Sequence, residues 1–244
     1  MGRYLLLADV HANLRALSAV LEDVVRWGGF DVIWMLGDLV GYGPEPDDCV
    51  SMLREHPLVS VAGNHDLGAV GRVDLSSFNR EAAEVCLWTG GRLSASSSEF
   101  LRELPLRQRV APFLLVHASP RDSVWEYVTS GVQATELALF CEEAHCLVGH
   151  THCPAVFSMT SHSGQAEGVC SAGTEVPVRG RLIVNPGAVG QPRDGDPRAA
   201  YAVLDTVAGA VSFHRVPYDV SGTVNAMRRH GLPDSLARRL HAGY

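Results

Sequence analysis

Five short apolar runs organise this chain, and each is followed within two residues by a side chain of a type that binds metal ions. Runs that do not alternate between apolar and polar residues, such as 4–8, 32–36 and 58–62, are typical of strands buried on both faces of a parallel sheet. Open α/β sheets place their sites at the carboxyl ends of such strands, so these side chains are expected to meet in one crevice. The polar segments are Asp9-Val10-His11, Gly37-Asp38, Gly63-Asn64-His65-Asp66, His117 and Gly149-His150-Thr151-His152.

Segments of helical periodicity separate the first three runs. Asn13 has the character of an N-cap for a helix that a glycine pair ends, and a shorter helix is expected over residues 46–55. This strand–helix–strand–helix–strand order predicts parallel strands joined by right-handed crossovers. Two more helices are expected within residues 78–104, and another over residues 133–144.

The character of the chain changes after residue 153. Gly, Pro, Asn and Asp separate four short runs here, a pattern that favours strands joined by turns. These runs are residues 155–158, 181–184, 200–204 and 211–215. We expect them to form a second, antiparallel sheet, followed by helices near residues 220–229 and 233–241. Because no internal repeat, low-complexity segment or linker interrupts the pattern, residues 1–244 are expected to form a single domain, a size that α/β proteins reach.

Composition excludes several classes of protein. The net charge of −7 argues against a surface for duplex nucleic acid, which needs a basic face. All 20 basic residues are arginine, so the lysine of phosphate-loop NTPases and the amine of Schiff-base enzymes are missing. No apolar run approaches the roughly 20 residues that cross a bilayer. Met1-Gly2-Arg3 leads straight into the first run without a signal peptide. We therefore expect no membrane partner and a cytoplasmic location with reduced cysteines.

The side chains at the ends of the five runs suit divalent metal ions. Besides His65 and Asp66, they comprise four imidazoles, two carboxylates and one amide without a thiol, and this set favours Mn²⁺, Fe²⁺ or Zn²⁺. The candidate ligands are Asp9, His11, Asp38, Asn64, His117, His150 and His152. Two divalent ions carry a charge of +4, which two carboxylates and a hydroxide reduce to +1, and that charge suits an anionic phosphate. The sequence therefore predicts a site with two metal ions.

Occurring in this order, the five motifs resemble the calcineurin-like binuclear metallophosphoesterase superfamily, and most closely its branch of small bacterial and archaeal phosphodiesterases, the YfcE-like proteins. Longer stretches shared with that branch are Gly-Asp-Leu-Val-Gly-Tyr-Gly-Pro at 37–44, Asn-Pro-Gly-Ala-Val-Gly-Gln-Pro-Arg-Asp-Gly-Asp-Pro-Arg at 185–198 and Val-Pro-Tyr-Asp at 216–219. The resemblance covers nearly the whole chain. It implies an α/β fold, namely a four-layer α-β-β-α sandwich in which two mixed sheets are flanked by helices.

The resemblance also implies a role for each motif residue. Asp9, His11 and His152 match ligands of a first metal ion, Asn64, His117 and His150 match ligands of a second, and Asp38 matches the ligand that bridges them. His65 is expected to lie over the phosphate, where it stabilises charge and protonates the leaving oxygen, and Asp66 is expected to orient its imidazole. The implied cofactors are two divalent ions, Mn, Fe, Zn or Ni. The implied reaction is hydrolysis of a phosphoester by a hydroxide that bridges these ions.

The substrate class is less constrained. A small phosphodiester, with nucleotides among the candidates, is favoured over a phosphomonoester, and Tyr42, Trp125 and Tyr127 are candidates for lining a nucleoside pocket. A phosphoprotein phosphatase is disfavoured because residues 37–43 lack the arginine of the Gly-Asp-x-Val-Asp-Arg-Gly motif in those enzymes. A non-catalytic interaction scaffold is disfavoured because His65 and every expected ligand are present. The sequence does not choose between a monomer and a homo-oligomer.

Two further candidates for substrate binding have alternative interpretations. Asn13 is either a helix N-cap or a donor to phosphate. Arg193 lies in a cluster of Gly, Pro and Asp residues, and is either a solvated turn residue or a ligand of the phosphate. Ala12, Ala118 and Ala188 replace the Gly, Gly and Ser that are usual in the branch, and their methyl groups are candidates for narrowing the pocket.

Overall fold

The computed structural model describes residues 2–159 and 170–244, and within these ranges eleven strands form two sheets. The strands are β1 (Arg3–Leu7), β2 (Val32–Met35), β3 (Leu58–Ser60), β4 (Arg107–Val110), β5 (Phe113–Val116), β6 (His145–Leu147), β7 (Ala155–Met159), β8 (Glu175–Pro177), β9 (Arg181–Asn185), β10 (Ala199–Asp205) and β11 (Ala210–Val216). The helices are α1 (Leu14–Arg26), α2 (Pro46–Arg54), α3 (Asn64–Ala69), α4 (Arg80–Gly90), α5 (Ala95–Glu103), α6 (Gly131–Leu137), α7 (Val220–Arg229) and α8 (Asp234–Ala242).

Both sheets mix parallel and antiparallel pairs. The first sheet has the order β3-β2-β1-β10-β11-β8, in which β1, β2 and β3 are parallel, as predicted, and β10 is antiparallel to β1. The second sheet has the order β4-β5-β6-β9-β7, in which β5, β6 and β9 are parallel and the two edge strands are antiparallel to their neighbours. The carboxyl ends of β1, β2 and β3 and those of β5 and β6 therefore carry the predicted motifs.

The prediction that the four C-terminal strands make the second sheet was wrong. Strands β10 and β11 extend the first sheet, where Leu6 of β1 pairs with Ala202 of β10, whereas β7 and β9 join β5 and β6 in the second sheet. Residues 199–204 are all buried, so the apolar pattern of β10 is satisfied equally well in the middle of either sheet. Pairing of strands distant in sequence depends on contacts between them, which a local pattern does not contain.

The layers follow from the alternation of side chains along each strand. Leu6 of β1 shares an apolar cluster with Leu147 of the second sheet, so one face of β1 forms the interior between the sheets. The neighbouring Leu5 points to the opposite face and clusters with Leu17 of α1. The outer face of β5 packs against α6 in the same way. Helix, sheet, sheet and helix thus form four layers, which confirms the predicted α-β-β-α sandwich.

Most predicted helices have the expected bounds, but α6 is shorter than residues 133–144. It ends at Leu137, and a single 3₁₀ turn over Ala138–Phe140 follows it. Nη1 of Arg181, on β9, donates to the carbonyls of Ala138 at 2.5 Å and Cys141 at 2.8 Å. These bonds from another strand satisfy carbonyls at the end of the helix, which is why the chain can turn early toward β6. Among all helices in the described ranges, none is long and apolar enough to cross a membrane.

Candidate metal centre

The motif residues occupy strained backbone at the carboxyl ends of the strands. Non-glycine residues rarely adopt a positive φ, and such strain is concentrated at functional sites. Five predicted ligands have it: Asp9 (φ 54), His11 (φ 48), Asp38 (φ 55), His150 (φ 65) and His152 (φ 61). The loops also approach one another closely, since a Cβ atom at Gly63 would overlap Oδ1 of Asp38. The fold therefore holds these side chains at a cost of about 1 kcal/mol or more for each strained residue.

One group of ligand atoms comes from the ends of β1 and β6. Asp9, His11 and His152 are buried, and one ligand atom from each lies within 4.8 Å of the other two. Nε2 of His11 is 3.2 Å from Nε2 of His152, and Nε2 of His152 is 3.4 Å from Oδ1 of Asp9. This is the set predicted to hold the first ion.

A second group comes from the ends of β2, β3, β5 and β6. Nε2 of His117 lies 3.0 Å from Nδ1 of His150 and 3.1 Å from Oδ1 of Asn64. Oδ2 of Asp38 is 3.4 Å from the same nitrogen of His117, and it is also 3.7 Å from Nε2 of His11 in the first group. Asp38 thus stands between the two groups, with one oxygen near both.

Main-chain carbonyls orient all four imidazoles. Nδ1 of His11 lies 3.2 Å from the carbonyl oxygen of Val40, and Nδ1 of His117 lies 2.8 Å from that of Leu36. Nδ1 of His152 lies 2.6 Å from the carbonyl oxygen of Gln191, and Nε2 of His150 lies 3.3 Å from that of Trp125. A carbonyl only accepts hydrogen bonds, so each of these nitrogens carries a proton. In a neutral ring the other nitrogen then has a lone pair directed at the centre, the arrangement that metal-ligating histidines use.

The electrostatics of the centre favour bound cations. Burial raises the pKa of Asp9 to about 8, and its Oδ1 has no hydrogen-bond partner among the described residues. Burial also lowers the pKa of His117, but the nearby Asp38 carboxylate outweighs it and raises that pKa to about 9. Buried carboxylates that lack a compensating charge are unfavourable. Lone pairs of imidazole nitrogens facing one another at 3.0 to 3.2 Å are also unfavourable without a cation or proton between them. The donor set therefore fits divalent ions of the borderline class.

Comparison with known proteins agrees with this geometry. The sequence pattern of the calcineurin-like phosphoesterase superfamily domain matches residues 3–209. The chain belongs to this superfamily.

Two relatives match this calcineurin-like phosphoesterase over its whole length. An uncharacterised protein of Methanocaldococcus jannaschii is 34% identical over 242 residues, which cover 97% of this chain and 96% of that protein. The crystal structure of a metallophosphoesterase from Sphaerobacter thermophilus has a TM-score of 0.90 and 43% identity, and the match covers 100% of this chain and 99% of that one. The symmetrical bis(5′-nucleosyl)-tetraphosphatase of Pseudomonas putida is 39% identical over 61 residues, which is 24% of this chain and 21% of that enzyme. Membership of the superfamily supports hydrolysis of phosphoesters with divalent metal ions.

A cavity of about 230 Å³ opens over the centre of this phosphoesterase, and His65 lines it together with Asp38 and Asn64. The main-chain N–H of His65 donates to Oδ1 of Asp38 at 2.8 Å. The imidazole packs against the ring of Tyr42, with 4.3 Å between ring centroids, and against Phe78 at 5.3 Å. His65 therefore lies beside the candidate ligands and faces the cavity.

Asp66 does not orient His65, which corrects one expectation from the sequence. Its Oδ1 accepts from the N–H of Val40 at 3.0 Å, and its Oδ2 accepts from the N–H of Gly63 at 2.9 Å. Both oxygens are turned toward the main chain because Asp66 is the third residue of α3 and caps that helix at Gly63. Asp66 instead joins the loop after β2 to the loop after β3.

Asn13 is an N-cap, and the structure contradicts a direct role in binding substrate. Its Oδ1 accepts from the N–H of Ala16 at 3.2 Å and from the hydroxyl of Thr223 at 3.0 Å. Its Nδ2 donates to the carbonyl of Gly190 at 2.9 Å and to the hydroxyl of Tyr218 at 3.1 Å. These four bonds use the hydrogen-bonding capacity of the amide, so no donor remains for a phosphate.

Arg193 lies where a ligand of the phosphate is expected. It lines the cavity, and its guanidinium carbon is 6.0 Å from the centre of the Tyr42 ring. Nη2 donates to Oε1 of Gln191 at 3.0 Å, whereas the buried Nε has no partner among the described residues. A partly satisfied arginine beside a metal centre has donors available for an anion. By contrast, Ala12, Ala118 and Ala188 are buried and do not line the cavity, so their methyl groups do not narrow it.

Several residues that shape the centre were missed by the sequence interpretation. Asn185 was given no role at the site. Its Oδ1 accepts from the N–H of Gly187, and its Nδ2 donates to the carbonyl of Gly149 at 2.6 Å. It thereby ties the end of β9 to the loop that carries His150. Trp125 and Gln191 act through their carbonyls, which leave no signal in the identity of a side chain. The spacing of Asn185 from Gly187 is typical of an Asx turn, and that signal does not reveal the bond to Gly149.

Proposed function

We propose that this protein is a metal-dependent phosphodiesterase that hydrolyses small phosphodiesters at a centre of two metal ions. The observation that carries the proposal is the position of Asp38. Its Oδ2 lies 3.7 Å from Nε2 of His11 and 3.4 Å from Nε2 of His117, and so between the two groups of buried candidate ligand atoms. When bound, two such ions lower the pKa of water toward neutrality and neutralise charge on the phosphoryl group.

The proposed ligand sets follow the two groups of atoms. Asp9, His11 and His152 would hold one ion, Asn64, His117 and His150 would hold the other, and Asp38 would bridge them. The chain also keeps the ligands in place. Carbonyls of the surrounding loops hold the four imidazole rings, and the N–H of His150 donates to Oδ2 of Asp9 at 3.1 Å, which leaves Oδ1 available.

The remaining residues of the cavity would bind the substrate. Arg193 would donate to non-bridging phosphate oxygens. Nδ1 of His65 lies 3.5 Å from Sγ of Cys86, so His65 would donate to the phosphate from its other ring nitrogen, Nε2. Both groups would bind more tightly as negative charge grows on these oxygens in the transition state, which is how donors of this kind accelerate hydrolysis.

Aromatic side chains support a substrate with organic groups on the phosphate. The rings of Phe78 and Trp125 meet edge to face with 5.1 Å between centroids, and Tyr127 stacks on His150 at 4.1 Å. All three residues line the cavity. Exposed aromatic faces stack on nucleobases irrespective of base identity. The local similarity to a bis(5′-nucleosyl)-tetraphosphatase also favours a nucleotide as the organic group.

One assay tests the proposal. The purified protein is loaded separately with Mn²⁺, Zn²⁺, Fe²⁺ and Ni²⁺, its bound metal is counted, and hydrolysis of bis(4-nitrophenyl) phosphate is compared with that of 4-nitrophenyl phosphate. We expect two ions per chain and a higher kcat/KM for the diester. A faster reaction with the monoester would replace the phosphodiesterase by a phosphomonoesterase, and no hydrolysis of either compound by protein with two bound ions would refute the proposal.

Variants separate the centre from the rest of the fold. Asp38→Ala is expected to lose metal and activity together. The matched control is His241→Ala, because His241 is an exposed histidine on α8 that does not line the cavity. Equal metal content and equal turnover in the two variants would contradict the assignment of Asp38.

A further inference from the structure

Of the described residues, Arg193 is the only arginine that lines the cavity over the centre, and the chain has no lysine. Its guanidinium donates to the amide of Gln191 and, within the described ranges, pairs with no carboxylate. Yet the next residue in the chain is an acid, Asp194. Because opposite charges attract strongly where a protein excludes water, an arginine beside an acid stays unpaired only if another group holds that acid.

Arg215, on β11, holds the carboxylate of Asp194. Its Nη2 donates to Oδ2 of Asp194, and the side chains of the two residues are only 4% and 14% exposed, so solvent screens this ion pair little. Nη1 of Arg215 donates to the carbonyls of Asp196 at 3.3 Å and Arg198 at 2.9 Å. The guanidinium is thereby fixed against the loop that follows Arg193.

The pairing of charges leaves one cation over. Residues 193–198 and Arg215 together contain three arginines and two acids. Nη2 of Arg198 donates to Oδ2 of Asp196 at 2.6 Å, and the other acid is paired with Arg215. The unpaired positive charge is therefore on Arg193, which lines the cavity, whereas Arg215 does not.

The bonds of Arg215 would equally suit a residue that only stabilises the fold, and Arg3 illustrates that case. Its Nη1 pairs with Asp205 at 2.7 Å, and its other two nitrogens donate to the carbonyls of Gly29 at 3.2 Å and Trp27 at 2.6 Å. Arg3 does not line the cavity over the centre. It therefore provides a matched control, an arginine with an ion pair and two carbonyl partners but no link to Arg193.

We propose that Arg215 is a positioning residue for substrate binding: it holds the carboxylate of Asp194 and so keeps the guanidinium of Arg193 unpaired for the anionic oxygens of a phosphodiester. This inference rests on the proposed phosphodiesterase function. Arg215 acts only through the loop, since it does not line the cavity. A carboxylate released by Arg215 would weaken phosphate binding twice, because it would pair with Arg193 and would repel the phosphate.

Binding of inorganic phosphate tests the proposal. The dissociation constant is measured by calorimetry with Zn²⁺-loaded protein at constant ionic strength. Arg215→Gln removes the charge but keeps an amide that can donate to main-chain carbonyls, so it releases Asp194 while retaining part of the support for the loop. We expect Kd to rise about three- to tenfold, the size of one charge–charge interaction near a protein surface. A wild-type Kd in Arg215→Gln would overturn the proposal.

A second substitution separates the electrostatic role from a structural one. Arg215→Gln combined with Asp194→Asn has no released carboxylate, so its Kd should return to within about twofold of wild type. If Arg215 only supports the loop, the double variant will bind phosphate as poorly as Arg215→Gln, and the proposal fails. Arg3→Gln should lose stability to a similar extent and keep the wild-type Kd. An equal rise of Kd in Arg3→Gln would likewise count against a specific role of Arg215.

Chemical modification examines Arg193 without metal ions or turnover. Phenylglyoxal reacts with accessible, unpaired guanidinium groups, and mass spectrometry gives its rate of reaction at Arg193 in metal-free protein. We expect slower modification in Arg215→Gln, because Asp194 then pairs with Arg193, and the wild-type rate in the double variant. Equal rates in wild type and Arg215→Gln would refute the pairing. If the protein hydrolyses no phosphoester, the proposed function fails, while this rate still decides whether Arg215 keeps Arg193 unpaired.

Discussion

Replacement of Asn13 by alanine separates a structural role from a role in binding phosphate. The side chain makes four hydrogen bonds, and one of them caps α1 through the N–H of Ala16. Loss of an N-cap costs about 1 kcal/mol, and loss of a buried neutral hydrogen bond costs about another 1 kcal/mol each. We therefore expect Asn13→Ala to lower the free energy of unfolding by about 3–4 kcal/mol.

The expected effect is large enough for a simple measurement. In a chain of this size 1 kcal/mol shifts Tm by about 2–4 °C, so Tm should fall by roughly 10 °C. The assay is urea unfolding and calorimetry of metal-free protein, with kcat/KM measured on folded, metal-saturated protein well below Tm. Folded Asn13→Ala should keep kcat/KM within about threefold of wild type, since the side chain offers no free donor to a phosphate.

Two variants calibrate this loss. Ser94→Ala removes the N-cap bond from the N–H of Ser97 to the Ser94 hydroxyl at 3.2 Å, together with the bond that this hydroxyl donates to Oγ of Ser97 at 3.1 Å, so it should cost about 1–2 kcal/mol. Asn13→Ser keeps a capping oxygen for the N–H of Ala16 but loses the donors to Gly190 and Tyr218, so its stability should lie between those of wild type and Asn13→Ala. The reasoning is refuted if Asn13→Ala unfolds within 1 kcal/mol of wild type while kcat/KM falls more than about tenfold.

Three further predictions concern the centre and its cavity. His65→Ala should keep both metal ions and lower kcat by about 10²–10³, the usual effect of removing a donor to a charged transition state; loss of an ion, seen by elemental analysis, would make His65 a ligand. Arg193→Ala should lower kcat/KM for a phosphodiester by about 10- to 100-fold with only a small fall in Tm, because its guanidinium donates to the side chain of Gln191 and lies 6.0 Å from the centre of the Tyr42 ring; a large fall in Tm without a kinetic change would make it structural. Chelation should abolish hydrolysis and lower Tm, because the buried carboxylates of Asp9 and Asp38 then lose their compensating charge; an unchanged Tm and rate after metal removal would exclude resident ions.

The corrections share a physical origin. Asp66 was assigned to His65 because the two are neighbours in sequence, but in α3 successive side chains point in different directions. The partner of the imidazole is instead Cys86, 21 residues away on another helix. Asn13 was ambiguous because the same amide serves a cap or an anion, and the choice depends on Gly190 and Tyr218, which folding brings to it from the C-terminal half.

The sequence by itself predicted which side chains are candidate metal ligands and the end of the sheets at which they meet. Apolar runs that must be buried on both faces become parallel strands, and parallel strands carry the residues that follow them to a common edge, as Asp9, Asp38 and Asn64 illustrate. The layers follow from the same patterns, because each strand has two apolar faces to cover.

Only the tertiary structure decided how those atoms are oriented and protonated. Carbonyls of Val40, Leu36, Gln191 and Trp125 set the orientation of the four imidazoles. Every residue has a carbonyl, so no sequence pattern distinguishes the ones that do this. Which sheet β10 joins was likewise decided by its pairing with β1, nearly two hundred residues away in sequence. Local patterns report burial and direction, whereas partners distant in sequence are chosen by packing and hydrogen bonding of the whole fold.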